Sequence, residues 1–130
     1  MSDSLLFVYG TLRFAFDGPM ARRLRAKAQL VGSARAQGML YRLAGYPGFV
    51  PGAEGVVTGD LFALSDAEVT LAWLDDYEEC AVDSPQPHEY RRLRLMVEGE
   101  QGPVAAWTYV YARDPSEWPI IASGDFLASV

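Results

Sequence analysis

"LLFVYGTLR", residues 5–13, is the stretch that decides the architecture. Leu5 to Tyr9 form a short run of apolar, β-branched and aromatic residues, as in a buried strand, and Gly10 ends it at once. Tyr9 is left at the rim, followed by a glycine-containing turn. Backbone N–H groups in such a turn lack ladder partners and can form a nest that holds a carboxylate. Many turns of this kind bind nothing, so from this stretch alone both readings stay open.

Outward from this strand, a helix is expected from Pro19 to about Ala28, with proline at the early position that helix starts favour. Its Arg22, Arg23, Arg25 and Lys27 are the one basic cluster of the chain and read as a solvated face rather than an anion site. Residues 30–41 suit a long strand, bent or bulged at Gly32 and Gly38. "RLAGYPGFVPGAEG", residues 42–55, is too rich in Gly and Pro for a regular element and reads as a long loop centred on Tyr46 and Phe49.

Residues 56–64 are the next strand. Ser65 and Glu68 then form an S-x-x-E capping box, which starts a helix running to about Tyr77. "ECAVDSPQPH", residues 79–88, is a second loop, and the segment after it is a β-hairpin turning between Gly99 and Pro103. The tail carries Trp118 and Phe126 and is expected to pack back. The order β-α-β-β-α-β-β predicts an α+β fold, a mixed sheet with two helices, in a single domain spanning residues 1–130.

Composition narrows the chemistry. Half the residues are hydrophobic and 12% aromatic, which excludes a disordered tail. No run reaches the ~18 apolar residues of a membrane span, and the N-terminus lacks the pattern of a signal peptide, so a cytoplasmic, membrane-free protein is expected. The net charge of -6 argues against nucleic acid as a partner. Cys80 is the only cysteine and His88 the only histidine, so no disulfide, no metal site and no cofactor is expected. His88 reads as a solvated loop residue. Nucleophile elbows and phosphate loops are absent, which leaves carboxylates, tyrosines, arginines and backbone groups to carry any catalysis.

One carboxylate stands out. At ~100° per residue, Ala67, Leu71, Leu74 and Glu78 fall on one stripe of the helix. The first three are apolar, so Glu78 faces the core, whereas Asp75, Asp76 and Glu79 read as solvated. A buried carboxylate at a helix C-terminus is penalised by desolvation and by the helix dipole, so its pKa rises toward that of a general base. Alternatively the helix frays before Glu78 and leaves it in water. Trp107, Tyr109 and Tyr111 share one face of the last strand, an arrangement that serves a core as well as a pocket wall. Tyr90 and Arg92 share a face of the strand before it and read as exposed sheet surface.

Taken in order, "VYGTLR", "LDDYE", "YRRLRLMV" and "WTYVY" resemble the gamma-glutamylcyclotransferase superfamily, with the gamma-glutamylamine cyclotransferase-like branch the nearest in pattern. The resemblance covers residues 5 to 111 and implies a small mixed β-barrel flanked by helices with a cavity at one end. It implies further that Tyr9, Gly10, Thr11 and Leu12 grip a substrate α-carboxylate and that Glu78 is the catalytic acid and base. Tyr109 or Tyr111 would bind substrate, donating to the developing oxyanion. The implied reaction is attack of the substrate α-amine on its γ-carbonyl, releasing 5-oxoproline and a free amine. The implied partner is a small gamma-glutamyl molecule, and a monomer or weak homodimer is expected. The alternative is a non-catalytic carboxylate-binding or regulatory module on the same fold. Two features depart from the family pattern: Glu79 stands where a small residue is expected, and the 79–88 link is long; these residues are expected to rim the pocket, and Tyr46 and Phe49 either to cover the cavity or to plug the end of the barrel.

Overall fold

A computed structural model describes residues 4–81 and 83–129; Val82, within the 79–88 link, lies outside the described residues. The elements in chain order are β1 (Leu5–Val8), α1 (Pro19–Lys27), β2 (Ala28–Arg42), β3 (Pro47–Leu64), α2 (Ala67–Tyr77), β4 (Tyr90–Gly99) and β5 (Gly102–Tyr111). The five strands close into a barrel in the order β1-β3-β2-β4-β5. All neighbours are antiparallel except β1 and β5, which close the barrel in parallel at Leu6 and Trp107. No helix is long and apolar enough to cross a membrane among the described residues.

The unbroken apolar run of β1 follows from its position. Phe7 and Tyr9 point into the barrel, where they meet Leu40, Phe49, Val57, Leu61 and Val110. Leu6 and Val8 point outward beneath the helices, against Leu24, Phe62, Leu71 and Leu74. A strand covered on both faces has no polar side to alternate.

Two expectations are corrected here. Residues 42–55 are not a long loop: only the short segment 43–46 is irregular, and β3 begins at Pro47. β2 and β3 pair as a long ribbon whose register shifts between Gln37 and Gly38, so that Gln37 faces Val56 while Gly38 faces Pro51. The residues between form a bulge with an exposed outer side. Gly55 serves it with φ +88°, and a side chain there would strike the Gly38 carbonyl. The Gly and Pro that read as a loop are therefore bulge residues within a ribbon. Phe49 lies fully buried in the barrel core, whereas Tyr46 remains outside it on the short turn.

The second correction is a slip of one residue. Asp66, not Ser65, caps α2, its Oδ1 accepting from the Val69 N–H at 3.3 Å. The tail does pack back at Ile121 and Phe126, with the Ile121 N–H donating to the Leu40 carbonyl at 2.7 Å, although Trp118 stays 39% exposed. β4 and β5 turn between Gly99 and Gly102, as the sequence predicts.

Candidate active site

The turn after β1 is held from three sides. Its Arg13 N–H closes onto the Gly10 carbonyl at 3.1 Å. The Arg13 guanidinium donates to Asp125 at 2.7 Å and to Asp60 at 3.4 Å, and the Phe14 N–H donates to Asp60 at 2.8 Å. Gly10 lies against the ring of Pro47: an added Cβ would stand 2.6 Å from Pro47 Cγ. Among the described residues no acceptor faces the N–H groups of Gly10, Thr11 and Leu12.

Tyr9 fastens the end of β1 to two neighbours. Its hydroxyl donates to the Tyr109 carbonyl at 2.5 Å and accepts from the Phe49 N–H at 3.3 Å. Burial drives its pKa far above that of a free phenol, and the charge of Glu78 adds to the rise, so it remains a neutral donor.

α2 delivers Glu78. The apolar stripe of Leu71 and Leu74 is buried, and Glu78 follows on it as the C-cap residue, its own N–H bonded to the Leu74 carbonyl at 2.8 Å. The helix therefore holds through Glu78, and the frayed alternative is set aside. Burial pushes the Glu78 carboxyl up to about 7, with the negative charge of Glu89 contributing second. Glu79 then turns the chain at φ +59°, a left-handed conformation that favours glycine and costs a longer side chain on the order of 1 kcal/mol. That geometry explains why a small residue suits this position.

Asp75 is not the solvated acid that the helical stripe suggests. It accepts from Arg92 Nε at 2.8 Å, from Arg92 Nη2 at 3.0 Å and from the Tyr109 hydroxyl at 2.6 Å. Arg92 also lies 4.6 Å from the centroid of Trp107. The network ties the last turn of α2 to β4 and β5, one helical turn before Glu78. Tyr90 is likewise no exposed sheet residue: it is buried, and its hydroxyl donates to the Pro47 carbonyl at 2.7 Å.

These parts enclose a cavity of about 340 Å³. Tyr9, Gly10, Thr11, Leu12, Glu78 and Tyr109 all line it, so the structure brings together six of the seven residues singled out in the sequence. Tyr111 is the exception; it is buried behind the cavity wall, packed edge-on against Tyr90 at 5.7 Å between centroids. Tyr46, expected either to cover the cavity or to plug the barrel, and Glu79, expected at the pocket rim, also line it, whereas the sequence reading missed Glu89 and took Tyr90 for exposed sheet. Tyr46 donates to Glu89 at 2.8 Å, and burial together with that carboxylate pushes its hydroxyl up to about 12. The shared face of Tyr90 and Arg92 was the one signal for Tyr90.

Other chemistry is less well served. Burial pushes the Cys80 thiol up to about 11, with Asp75 adding to the rise, so it is no thiolate nucleophile near neutral pH. His88 is not solvated as expected: its Nε2 is buried with no hydrogen-bond partner among the described residues. Among the described residues no three His, Cys, Asp or Glu side chains are grouped to hold a metal ion.

The profile of one protein family, gamma-glutamyl cyclotransferase, AIG2-like, matches residues 6–128. The gamma-glutamylcyclotransferase family protein YtfP of Escherichia coli K12 is 35% identical over 123 residues, spanning 94% of this chain and 95% of that protein. The gamma-glutamylaminecyclotransferase of Bos taurus is 30% identical over 125 residues, 87% of this chain and 68% of that protein. The solution structure of E. coli ytfP superposes with a TM-score of 0.66 at 32% identity, covering 95% of this chain and 96% of that one. With its barrel, its carboxylate-lined cavity and these relatives, the chain belongs to the gamma-glutamyl cyclotransferase, AIG2-like family.

Proposed function

We propose that the protein is a gamma-glutamyl cyclotransferase that converts a gamma-glutamyl amide into 5-oxoproline and a free amine. The observation that carries this reading is one juxtaposition: a carboxyl titrating at about 7 lines the same cavity as the open N–H groups of Gly10 to Leu12. The substrate α-carboxylate is held by those N–H groups, and its α-ammonium is set beside Glu78. Such a substrate carries its own nucleophile, so the protein needs none.

Glu78, as carboxylate, takes a proton from the α-ammonium. The neutral amine attacks the γ-carbonyl carbon, a C–N bond forms, and the carbonyl becomes an oxyanion. Glu78 then gives its proton to the amide nitrogen, the old C–N bond breaks, and the amine leaves. The excess proton on the new ring nitrogen departs through the same carboxylate, and the released amine is protonated to an ammonium. A group with pKa near the working pH performs both transfers with little penalty. Folding the substrate for ring closure is worth roughly 7–11 kcal/mol, and acid–base catalysis about 10²- to 10⁴-fold.

Tyr109 is not the oxyanion donor in this scheme, because its proton is committed to Asp75. Backbone N–H groups of the Gly10–Leu12 turn and the hydroxyls of Thr11 and Tyr77 are among the donors left on the wall.

The test is release of 5-oxoproline from a panel of gamma-glutamyl amides, with Glu78→Gln assayed in parallel. Turnover by the wild type and its loss in the variant support the reading. No release on a broad panel, with gamma-glutamyl compounds still binding, would make the protein a carboxylate-binding module instead.

A further inference from the structure

Tyr109 stands where two arms of the site meet. Its backbone carbonyl accepts the Tyr9 hydroxyl at 2.5 Å, and Tyr9 immediately precedes the Gly10–Leu12 turn. Its own hydroxyl donates to Asp75 at 2.6 Å, and Asp75 lies in the last turn of α2, the helix that Glu78 caps. One residue of β5 therefore ties both the turn and the carboxyl-bearing helix end to the same strand. The Tyr109 ring is buried and lines the cavity between them.

Asp75 is engaged through its main chain as well as its side chain. Its carbonyl accepts the Cys80 N–H at 2.9 Å, the Asp76 carbonyl accepts the Glu79 N–H at 3.1 Å, and Glu79 takes the left-handed conformation at φ +59°. These are the two bonds of a Schellman motif, and Glu78 is the cap residue inside the loop that they close. Glycine is the usual residue at the left-handed position, so a glutamate there weakens the cap and leaves it dependent on support from outside the helix. That support reaches Asp75. Arg92 donates to its carboxylate from Nε at 2.8 Å and from Nη2 at 3.0 Å, and the same guanidinium lies 4.6 Å from the Trp107 centroid. A bidentate pair that also stacks on a ring has few alternative geometries. Among the described residues no hydrogen bond holds the Glu78 carboxyl itself, so the backbone of this cap sets its place in the cavity.

We infer that Tyr109 and Asp75 are positioning residues for ring closure: together with Arg92 they hold Glu78 at the place, relative to the Gly10–Leu12 turn, from which it reaches the substrate α-ammonium. This rests on the reading of the cavity as a gamma-glutamyl site. The two arms are separable, because the Tyr109 hydroxyl serves Glu78 and the Tyr109 carbonyl serves the turn. Tyr109→Phe removes the first and keeps the second, together with the ring. Displacing a reacting group by about 1 Å costs on the order of 10²-fold in rate.

Two readouts on Tyr109→Phe and Asp75→Asn test the inference. The first is the split between kcat and KM for 5-oxoproline release from a gamma-glutamyl amide that the wild type turns over. Both variants should lose about tenfold to a hundredfold in kcat with KM within about twofold, since the turn keeps its tie to Tyr9. The second is amide hydrogen exchange, which needs no turnover. The N–H groups of Glu78 and Cys80, bonded to the Leu74 and Asp75 carbonyls, should exchange about tenfold faster in both variants. The Phe49 N–H, which donates to the Tyr9 hydroxyl on the other arm, should keep its wild-type rate. An equal rise at all three amides would mean general loosening of the fold and would overturn the inference, as would wild-type kcat in both variants or a rise in KM with kcat unmoved. If the wild type itself releases no 5-oxoproline from any amide, the cyclotransferase reading fails, and the exchange pattern still decides whether this network fixes Glu78.

Discussion

At Glu78 the proposed activity and the stability of the fold pull in opposite directions. Its pKa stands at about 7 in the folded protein against 4.5 ordinarily, because burial and Glu89 both disfavour the carboxylate. Between those values the native state holds a proton that the unfolded chain has lost, so stability falls as pH rises through the window and stays low above it. Glu78→Gln keeps the shape and cannot ionise. Urea unfolding should therefore find the variant more stable than the wild type by on the order of 2 kcal/mol at about pH 8, and by less at about pH 5.5. A gain that does not change with pH would mean that Glu78 is not titrating in this range.

At the scale of elements, the site depends on how the turn after β1 meets the start of β3. Gly10 lies on Pro47, with room for no Cβ, and the Tyr90 hydroxyl holds the Pro47 carbonyl from the other side. Gly10→Ala must push the turn off a rigid ring. The expected cost is about 1–3 kcal/mol in urea unfolding, as for overpacking elsewhere, together with weaker binding of free 5-oxoproline. Unchanged stability and affinity would show that the turn yields freely. This contact was illegible in the sequence, since Pro47 sat in a stretch whose glycines and prolines read as a loop. β1, both helices and the β4–β5 hairpin were legible because periodicity and turn residues are local signals. The β2–β3 ribbon was only half legible, because a bulge stabilised by pairing across strands looks like irregular chain when one strand is read alone. The cap of α2 was misplaced by one residue for a related reason: Ser65 and Asp66 are both competent caps.

For the molecule as a whole, the barrel brings distant parts of the chain to one cavity. The turn after β1, the end of α2 and the last strand carry recognisable motifs, so Tyr9 to Leu12, Glu78 and Tyr109 could be named from sequence as residues that meet at one cavity. Tyr46 was legible only as one of two alternatives, and Glu89 and the partnership of Asp75 with Arg92 not at all, because their roles exist only once the barrel closes. The fold also ties its two ends together at the site, through the ion pair of Arg13 with Asp125. Asp125→Ala should cost about 1 kcal/mol of stability and raise KM for a gamma-glutamyl amide more than it lowers kcat, since it loosens the turn without touching Glu78. A fall in kcat alone would contradict that division of labour.

The most direct test of the whole account is the pH dependence of kcat/KM for 5-oxoproline release. The wild type should rise with pH through an inflection near 7, where the Glu78 carboxyl loses its proton. Glu78→Gln should be slower by about 10²- to 10⁴-fold, with that inflection gone. Retention of the wild-type rate and profile in the variant would contradict the assignment of Glu78 as the group that moves the proton.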